Sequence, residues 1–198
     1  DFDDYEGHRT LAVNRTANDR LHVATRDVHH VSTFVDDFYG DLLADEWQGY
    51  AGSDAQALVP AITPLKNGAV RLTTGNDGTT TMAVNGSQLN GVLNCDASAG
   101  RLFGEFRVKM SAITNLVFFV GFSDQSSALE MPFTQSGTTL TSNATDAVGF
   151  LFDTESTNDT LHAVGVDSDT DATHENLGVA PVADTWIRLG VETFSDGK

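Results

Sequence analysis

Two acidic side chains that could cleave a glycosidic bond stand close together in the segment Phe152-Asp153-Thr154-Glu155. Glycoside hydrolysis needs two carboxylates held a few ångströms apart across the sugar, and strand alternation would place Asp153 and Glu155 on one face. The pair falls at a predicted turn, and His162 lies within a strand pattern, which predicts a packed residue. The chain also lacks a Gly-x-Ser-x-Gly elbow and a Gly-rich phosphate loop. We therefore predict no catalytic site, and keep hydrolysis only as a third hypothesis.

Alternating aspartates that could bind calcium follow at Asp167, Asp169 and Asp171. This spacing is typical of the oxygen ligands in a calcium loop. The calcium loop of the EF-hand also requires glycine at its sixth position and glutamate at its twelfth, where this chain has Ala172 and Gly178. A weak calcium site and a solvated acidic turn are the two interpretations. We predict no metal site and no cofactor, with calcium as the alternative.

Aromatic and basic residues could instead bind a ligand or a partner. Trp47 and Trp186 each have a ring that can stack on a sugar, but each begins a strand pattern, where partly buried packing is the alternative. Residues 1–33 have only small, scattered apolar residues, too few for a core. Their basic set consists of Arg9, Arg15, Arg20 and Arg26. We predict an N-terminal arm that docks on a neighbouring surface, with an edge strand and loops of its own domain as the alternative.

The charge of the chain excludes several classes of partner. It has 28 acidic and 11 basic residues and a net charge of -17, which opposes binding to nucleic acid and to anionic membranes. The single cysteine, Cys95, excludes an intrachain disulfide and a cysteine-based zinc site. No stretch approaches the ~20 apolar residues of a membrane span. The 198 residues suit one domain, or one domain with an arm.

The clearest structural signal is in residues 101–124. Residues 102–110 alternate between apolar and polar or charged positions, which predicts a strand with one wet face. Residues 116–122 are apolar at nearly every position, which a strand tolerates when protein covers both of its faces. Gly121 marks a place where another backbone or side chain can come close. The link between the two segments is short, so we predict that they form an antiparallel pair.

Shorter elements are predicted before this pair. Residues 48–60 are predicted to be a loop or edge segment. Residues 69–74 and 79–84 flank Gly75-Asn76-Asp77-Gly78, which is typical of a hairpin turn. Residues 87–94 are predicted to form a short strand.

Three more strands are predicted after the pair. The apolar residues 147–152 predict a second covered strand, with residues 161–166 as its hairpin partner. Residues 186–194 predict a last strand, whereas the polar residues 123–146 predict a long loop. Asp196-Gly197 is typical of a hairpin turn. We therefore expect a return strand from a further C-terminal part or from a neighbouring chain, and an all-β class overall.

The segment from Asp36 to Trp47, DDFYGDLLADEW, resembles the opening of concanavalin A-like lectin and glucanase sandwiches. The positions that match are Asp37, Phe38, Gly40, Leu42 or Leu43, and Trp47. The resemblance implies an antiparallel β-sandwich with a jelly-roll topology over residues 34–198. Glucanases of this superfamily carry their acids as Glu-x-Asp-x-x-Glu on one strand, and this chain has no such string. The resemblance therefore implies a non-catalytic member, and the calcium and manganese ligands of legume-type lectins have no match here.

The chain also resembles the laminin-G-like and concanavalin-like domains that tailed bacteriophages carry on their particles. That similarity implies a structural or binding protein of the virion surface, either a capsid decoration or a fibre protein, and not an enzyme. Its expected partners are other virion proteins or copies of itself, in a homo-oligomer, and glycans. The alternative is an extracellular, soluble carbohydrate-binding module of a larger secreted protein.

Overall fold

A computed structural model of the chain describes residues 34–36, 38, 45–60, 68–76, 81–92, 100–125 and 129–194, with the backbone alone for residues 56–60. The predicted arm over residues 1–33, with its four arginines, lies outside the described residues. So do Cys95 and the predicted turn at residues 195–198. Of the positions that carry the lectin resemblance, Phe38 and Trp47 are described.

Antiparallel strands account for nearly all of the regular structure in the described ranges. The earlier strands are Trp47–Ala51 (β1), Gln56–Pro60 (β2), Val70–Thr73 (β3) and Ser87–Gly91 (β4), with a helical turn, Met82–Asn85 (α1), before β4. The later strands are Leu102–Val108 (β5), Val117–Ser123 (β6), Phe133–Ser136 (β7), Thr139–Ser142 (β8), Ala147–Asp153 (β9), His162–Asp167 (β10), Thr170–Asp171 (β11), Glu175–Asn176 (β12) and Ile187–Thr193 (β13). The protein is all-β, with several antiparallel sheets.

The largest sheet has β9 at its centre, between β6 and β10, and we call it the central sheet. The predicted hairpin of β9 and β10 is confirmed, with His162 opposite Leu151 and Val166 opposite Ala147. The short strands β11 and β12 both pair with β10. On the other side Gly121 of β6 lies opposite Gly149 of β9, and a Cβ at Gly121 would overlap the carbonyl oxygen of Val148. The predicted close approach at Gly121 is therefore confirmed.

Both faces of the central sheet are covered by apolar side chains. One face carries Leu151, which packs with Phe133 of β7 in a first core. The opposite face carries Phe152, which packs with Leu189 of β13 in a second core. Adjacent residues of a strand point to opposite faces, so the hairpin β7–β8 and the pair β5–β13 cover the two sides of the central sheet. The apolar segments of β6 and β9 lie between these layers, as their composition predicts.

The predicted pairing of the two strands in residues 101–124 is wrong. β5 pairs with β13, from Ile187 opposite Val108 to Thr193 opposite Leu102, while β6 pairs with β9. The physical reason lies in the link between β5 and β6. Its residues Met110, Ile113 and Leu116 pack in the second core, so the link crosses from one layer to the other and does not fold back as a hairpin.

The predicted hairpin over residues 69–84 is also wrong. β3 pairs with β2, and residues 82–85 form the helical turn α1. The carbonyl groups of Ala83 and Val84 accept hydrogen bonds from the backbone of Ser53 and Asp54, at 3.0 and 2.9 Å. Because these carbonyls find partners across the fold, the segment does not need the ladder of a hairpin to satisfy them. The short strand predicted over residues 87–94 is present as β4, which pairs with β1.

The sequence predicts one long loop over residues 123–146, and this prediction is wrong. The segment contains the hairpin β7–β8. Its strands pair from Phe133 opposite Ser142 to Ser136 opposite Thr139, around Gly137, which has a φ of 60°. Along β7, Phe133 and Gln135 are buried and the alternate residues are exposed. A four-residue strand with one large apolar side chain gives little periodic signal, which explains the missed hairpin.

Candidate binding face

Asp153, one of the two acids considered for hydrolysis, is buried at the end of β9 with 2% of its surface exposed. Its carboxylate oxygens accept hydrogen bonds from the backbone N–H groups of Gln135 and Glu155, each at 2.9 Å. Glu155 lies in the turn after β9 and is exposed. Asp153 therefore holds β7 against this turn, and the two acids do not converge on a common site.

A buried polar cluster surrounds His162, which is a strand residue of β10, as the sequence predicts. Its Nε2 atom lies 3.5 Å from the hydroxyl oxygen of the buried Ser156, and its ring centroid lies 5.5 Å from that of His174. Burial, and then the charge of His174, lower the pKa of His162 below its ordinary 6.5, against a backbone hydrogen bond at Asn158 that raises it. Sequence reasoning missed Ser156 and His174, since neither belongs to a recognisable motif. Ser156 is 8% exposed, so its hydroxyl is not accessible as a nucleophile.

The aspartates considered for calcium lie at the turn between β10 and β11. Asp167 ends β10 and accepts a hydrogen bond from the hydroxyl of Ser168, while Asp169 has a φ of 59°. All three aspartates are exposed. Among the described residues, no three His, Cys, Asp or Glu side chains form a group that could hold a metal ion. The three aspartates thus lie in an exposed turn, and the calcium alternative stays a prediction.

Trp47, the first of the two predicted sugar-stacking residues, is half-buried in an aromatic cluster. Its ring centroid lies 5.4 Å from that of Phe34 and 5.2 Å from that of Phe38. Its indole N–H donates a 2.7 Å hydrogen bond to the carboxylate of Asp36. These contacts correspond to the packing alternative, because the polar atom of the ring has a partner inside the protein.

Trp186, the second predicted stacking residue, has a different environment. It directly precedes β13 and is 37% exposed. The guanidinium carbon of Arg107 lies 4.6 Å from its ring centroid, and the ammonium nitrogen of Lys109 lies 5.7 Å from it. Both distances are within the range of cation–π attraction. Trp186 is thus an accessible aromatic ring with two cations within 6 Å of its centroid.

Other exposed aromatic and charged side chains alternate with less exposed ones along β5 and β13. The residues that pack inward, such as Leu189 and Val191, are buried, and their neighbours along each strand face the solvent. We call the solvent-facing side the cationic face. It consists of Arg101, Phe103, Glu105, Arg107, Lys109, Trp186, Arg188, Gly190, Glu192 and Phe194. Phe103 and Phe194 are 57% and 44% exposed, so the face also presents apolar surface.

Ion pairs connect the two strands across this face. The guanidinium of Arg188 donates to both carboxylate oxygens of Glu105, each at 2.7 Å. Arg101 forms an ion pair with Glu192, and its guanidinium carbon lies 5.4 Å from the ring centroid of Phe194. Seven Lys and Arg residues follow residue 33, and four of them lie on the cationic face of a chain whose net charge is -17. Four of the five Lys and Arg residues that the structure describes therefore lie on this face.

The chain matches no known protein-family model, and it shows no significant similarity to a curated protein or to a solved structure. Within the described ranges, no helix reaches the length and hydropathy that a membrane-spanning helix needs.

Proposed function

We propose that this chain is a structural and binding protein of a bacteriophage virion, a capsid decoration or fibre protein with a lectin-like β-sandwich. The observation that carries the proposal is the cationic face, where exposed aromatic rings and four basic residues meet on an otherwise acidic chain. Exposed aromatic and arginine side chains are typical of recognition surfaces.

The packing and the polar residues support a binding role over a catalytic one. A sandwich requires two antiparallel sheets packed face to face, and the packing of the pair β5–β13 on the central sheet supports that part of the proposal. Within the described residues, the buried acid Asp153 binds backbone N–H groups, and the exposed acids at 167–171 do not converge on a metal. In this proposal the sandwich projects from the particle, the arm over residues 1–33 docks on the shell, and neighbouring copies form a homo-oligomer.

A docking assay with empty capsids from the source lysate tests the virion proposal. The full chain is expected to co-sediment with the capsids, and a variant with Arg9, Arg15, Arg20 and Arg26 changed to Gln is expected to remain in solution. Arg71→Gln, which removes a charge from β3, is the control and should bind like the wild type. Equal sedimentation of the wild type and the four-arginine variant would contradict docking through these arginines, and no sedimentation of the wild type would contradict the virion assignment.

The second candidate is a carbohydrate-binding module of a secreted protein. The exposed ring of Trp186 favours it, because an accessible indole ring can stack on a sugar. A glycan array probed with the full chain distinguishes the two candidates: glycan binding without capsid docking supports the secreted module, and capsid docking without glycan binding supports a purely structural virion protein.

A further inference from the structure

One end of the cationic face combines an exposed ring with two cations, and we call it the Trp186 corner. It consists of Trp186, Arg107 and Lys109. Because Ile187 pairs with Val108 and Arg188 pairs with Arg107, the register brings the ring of Trp186 beside the end of β5. Arg107 lies within β5, and Lys109 and Trp186 each lie one residue beyond the paired strands, so the pairing brings the three side chains to the same end of the face.

The Trp186 corner has more basic than acidic charge, in contrast to the rest of the face. Arg188 is engaged by Glu105 and Arg101 by Glu192, so those cations are already neutralised by carboxylates. None of the described carboxylates forms an ion pair with Arg107, which lies over the indole ring. Lys109 lies 3.8 Å from Asp184, whose side chain is 73% exposed. The corner thus presents two cations against one exposed carboxylate.

The size of the face indicates the kind of ligand that it can hold. From Arg101 to Lys109 a strand extends about 26 Å, at roughly 3.3 Å per residue, and the face is only two strands wide. A stable interface between two proteins buries about 800 Å² on each partner. A narrow strip suits an extended chain better than a globular partner. Aromatic rings can stack on the sugars of such a chain, and guanidinium groups can pair with its carboxylates.

We infer that the Trp186 corner binds a polysaccharide that carries carboxylate groups, with a sugar ring stacked on Trp186 and a carboxylate between Arg107 and Lys109. The inference rests on the proposed function as a binding protein, and it names the ligand class of that surface. The net charge of -17 opposes the binding of any long polyanion, so the inferred affinity comes from local contacts at the corner, while salt at about 0.1 M largely screens charges more than about 10 Å away. Arg107 is already positioned by its contact with the ring, which reduces the side-chain entropy lost on binding.

The test measures binding of the full chain to immobilised alginate, a polymer of uronic acids, in 0.15 M NaCl at pH 7.5. The wild type is expected to bind alginate and to bind neutral dextran at least tenfold more weakly. Arg107→Gln and Trp186→Ala are each expected to lower the alginate affinity about tenfold, and Trp186→Phe, which keeps an aromatic ring, is expected to lower it less. Arg71→Gln removes one positive charge from another sheet and is the matched control for Arg107→Gln, with an expected change below twofold.

Four results would overturn the inference: no binding of the wild type to alginate, equal binding to dextran, equal effects of Arg71→Gln and Arg107→Gln, or binding to polyglutamate as tight as to alginate. The last result would identify an acidic peptide as the ligand class. The circular dichroism spectrum of each variant is compared with that of the wild type, so that a loss of folding is not mistaken for a loss of binding. The capsid-docking assay depends on the arginines of residues 1–33 and not on the Trp186 corner. A negative alginate result therefore contradicts the inferred ligand class without contradicting the virion proposal.

Discussion

Residues 45–92 and residues 100–194 both fold into antiparallel strands, but the interactions described between the strands differ in the two regions. Every buried apolar side chain that the structure describes belongs to residues 100–194, where two cores lie on the two faces of the central sheet. In residues 45–92 the buried positions among the described side chains are Gly52 and Gly86. Gly52 donates a 2.8 Å hydrogen bond to the carbonyl of Gly86, and Asp54 accepts one from the backbone of Asn76.

The difference shows two ways in which a strand can be fixed in place. In residues 100–194 the burial of apolar side chains is the main stabilising interaction, because the hydrophobic effect scales with the apolar area removed from water. In the earlier region the described close contacts involve the backbone at Gly52, Val84 and Gly86, and backbone hydrogen bonds connect these segments. Each region contains one tryptophan, Trp47 or Trp186. A Trp186→Phe background therefore reports on residues 45–92, and a Trp47→Phe background reports on residues 100–194.

The largest effect is expected from Phe152→Ala, because Phe152 is 1% exposed in the second core. We expect a loss of about 3–5 kcal/mol in the free energy of unfolding, from the lost transfer energy and the cavity that remains. Urea denaturation followed by Trp186 fluorescence in the Trp47→Phe background measures it. Leu89→Ala on the half-buried β4 is the control, with a smaller expected loss. Equal losses for the two variants would remove the distinction between the regions.

The next effect is expected from Gly121→Ala in the central sheet. A Cβ at this position would overlap the carbonyl oxygen of Val148, so the two strands would have to separate. We expect a loss of about 2–3 kcal/mol by the same measurement. Gly165→Ala in β10 is the matched control, because its Cβ would meet its nearest neighbours at an ordinary 3.7 Å. If Gly121→Ala has the same free energy of unfolding as the wild type, the backbones of β6 and β9 are not as close at this position as described.

In the earlier region, Gly52→Ala is expected to cost about 1–2 kcal/mol, because its Cβ would overlap the carbonyl of Val84 and disturb the contact with α1. The unfolding transition seen by Trp47 should move, and the transition seen by Trp186 should stay in place. Gly91→Ala is the control, since its Cβ would meet only an atom of Trp47, at 3.8 Å. Equal shifts of both tryptophan signals would show that the two regions unfold as one cooperative unit.

A smaller, pH-dependent effect is expected from His162. Burial lowers its pKa in the folded protein, so below about pH 6.5 the unfolded chain binds the proton more readily. The stability that depends on neutral His162 is therefore present above that pH and is lost as the pH falls. Urea midpoints at pH 7.5 and 5.5 measure the loss, and His162→Gln should make it smaller. An unchanged difference between the two midpoints in His162→Gln would contradict the assignment.

The smallest effect is expected at the surface of the β5–β13 pair. Arg188→Gln breaks a two-contact ion pair with Glu105, but both side chains are close to half exposed. Exposed pairs contribute roughly 0.2–1 kcal/mol, and salt screens them. A double-mutant cycle with Glu105→Gln at 0.05 and 0.5 M NaCl measures this contribution. A coupling energy of several kcal/mol, unaffected by salt, would mean that this face and not the buried Leu189 side holds the two strands together.

Sequence periodicity predicted the longer strands β5, β6, β9, β10 and β13 well and missed the short strands β7, β8, β11 and β12. β5 and β13 alternate between apolar and polar residues because protein covers one of their faces. β6 and β9 are apolar at nearly every position because protein covers both faces. The partners of β5 and β6 could not be predicted this way, since pairing depends on which layer each strand joins. Arg188 and Glu105, which meet across β5 and β13, are 83 positions apart.

In residues 45–92 the same reasoning failed for a different reason. Turn residues around Gly75 indicated a hairpin. The position of α1 depends instead on its carbonyl groups, which accept hydrogen bonds from the backbone of residues 53 and 54. Backbone hydrogen bonds of this kind leave no pattern in the side-chain sequence. For the site, the ring of Trp186 was recognisable from its residue type, whereas its neighbours Arg107 and Lys109 come from a strand far away in the sequence. The jelly-roll topology and the role of the arm stay predictions.

The cationic face has a consequence for how the protein is expected to bind to a charged support. A chain with a net charge of -17 adsorbs to an anion-exchange resin, and the side carrying Arg101, Arg107, Lys109 and Arg188 is the one that such a resin repels. Molecules immobilised in this way will present that side to the liquid. An ordinary chromatography bead thus provides an oriented array on which ligands for this surface can be screened without a chemical tether.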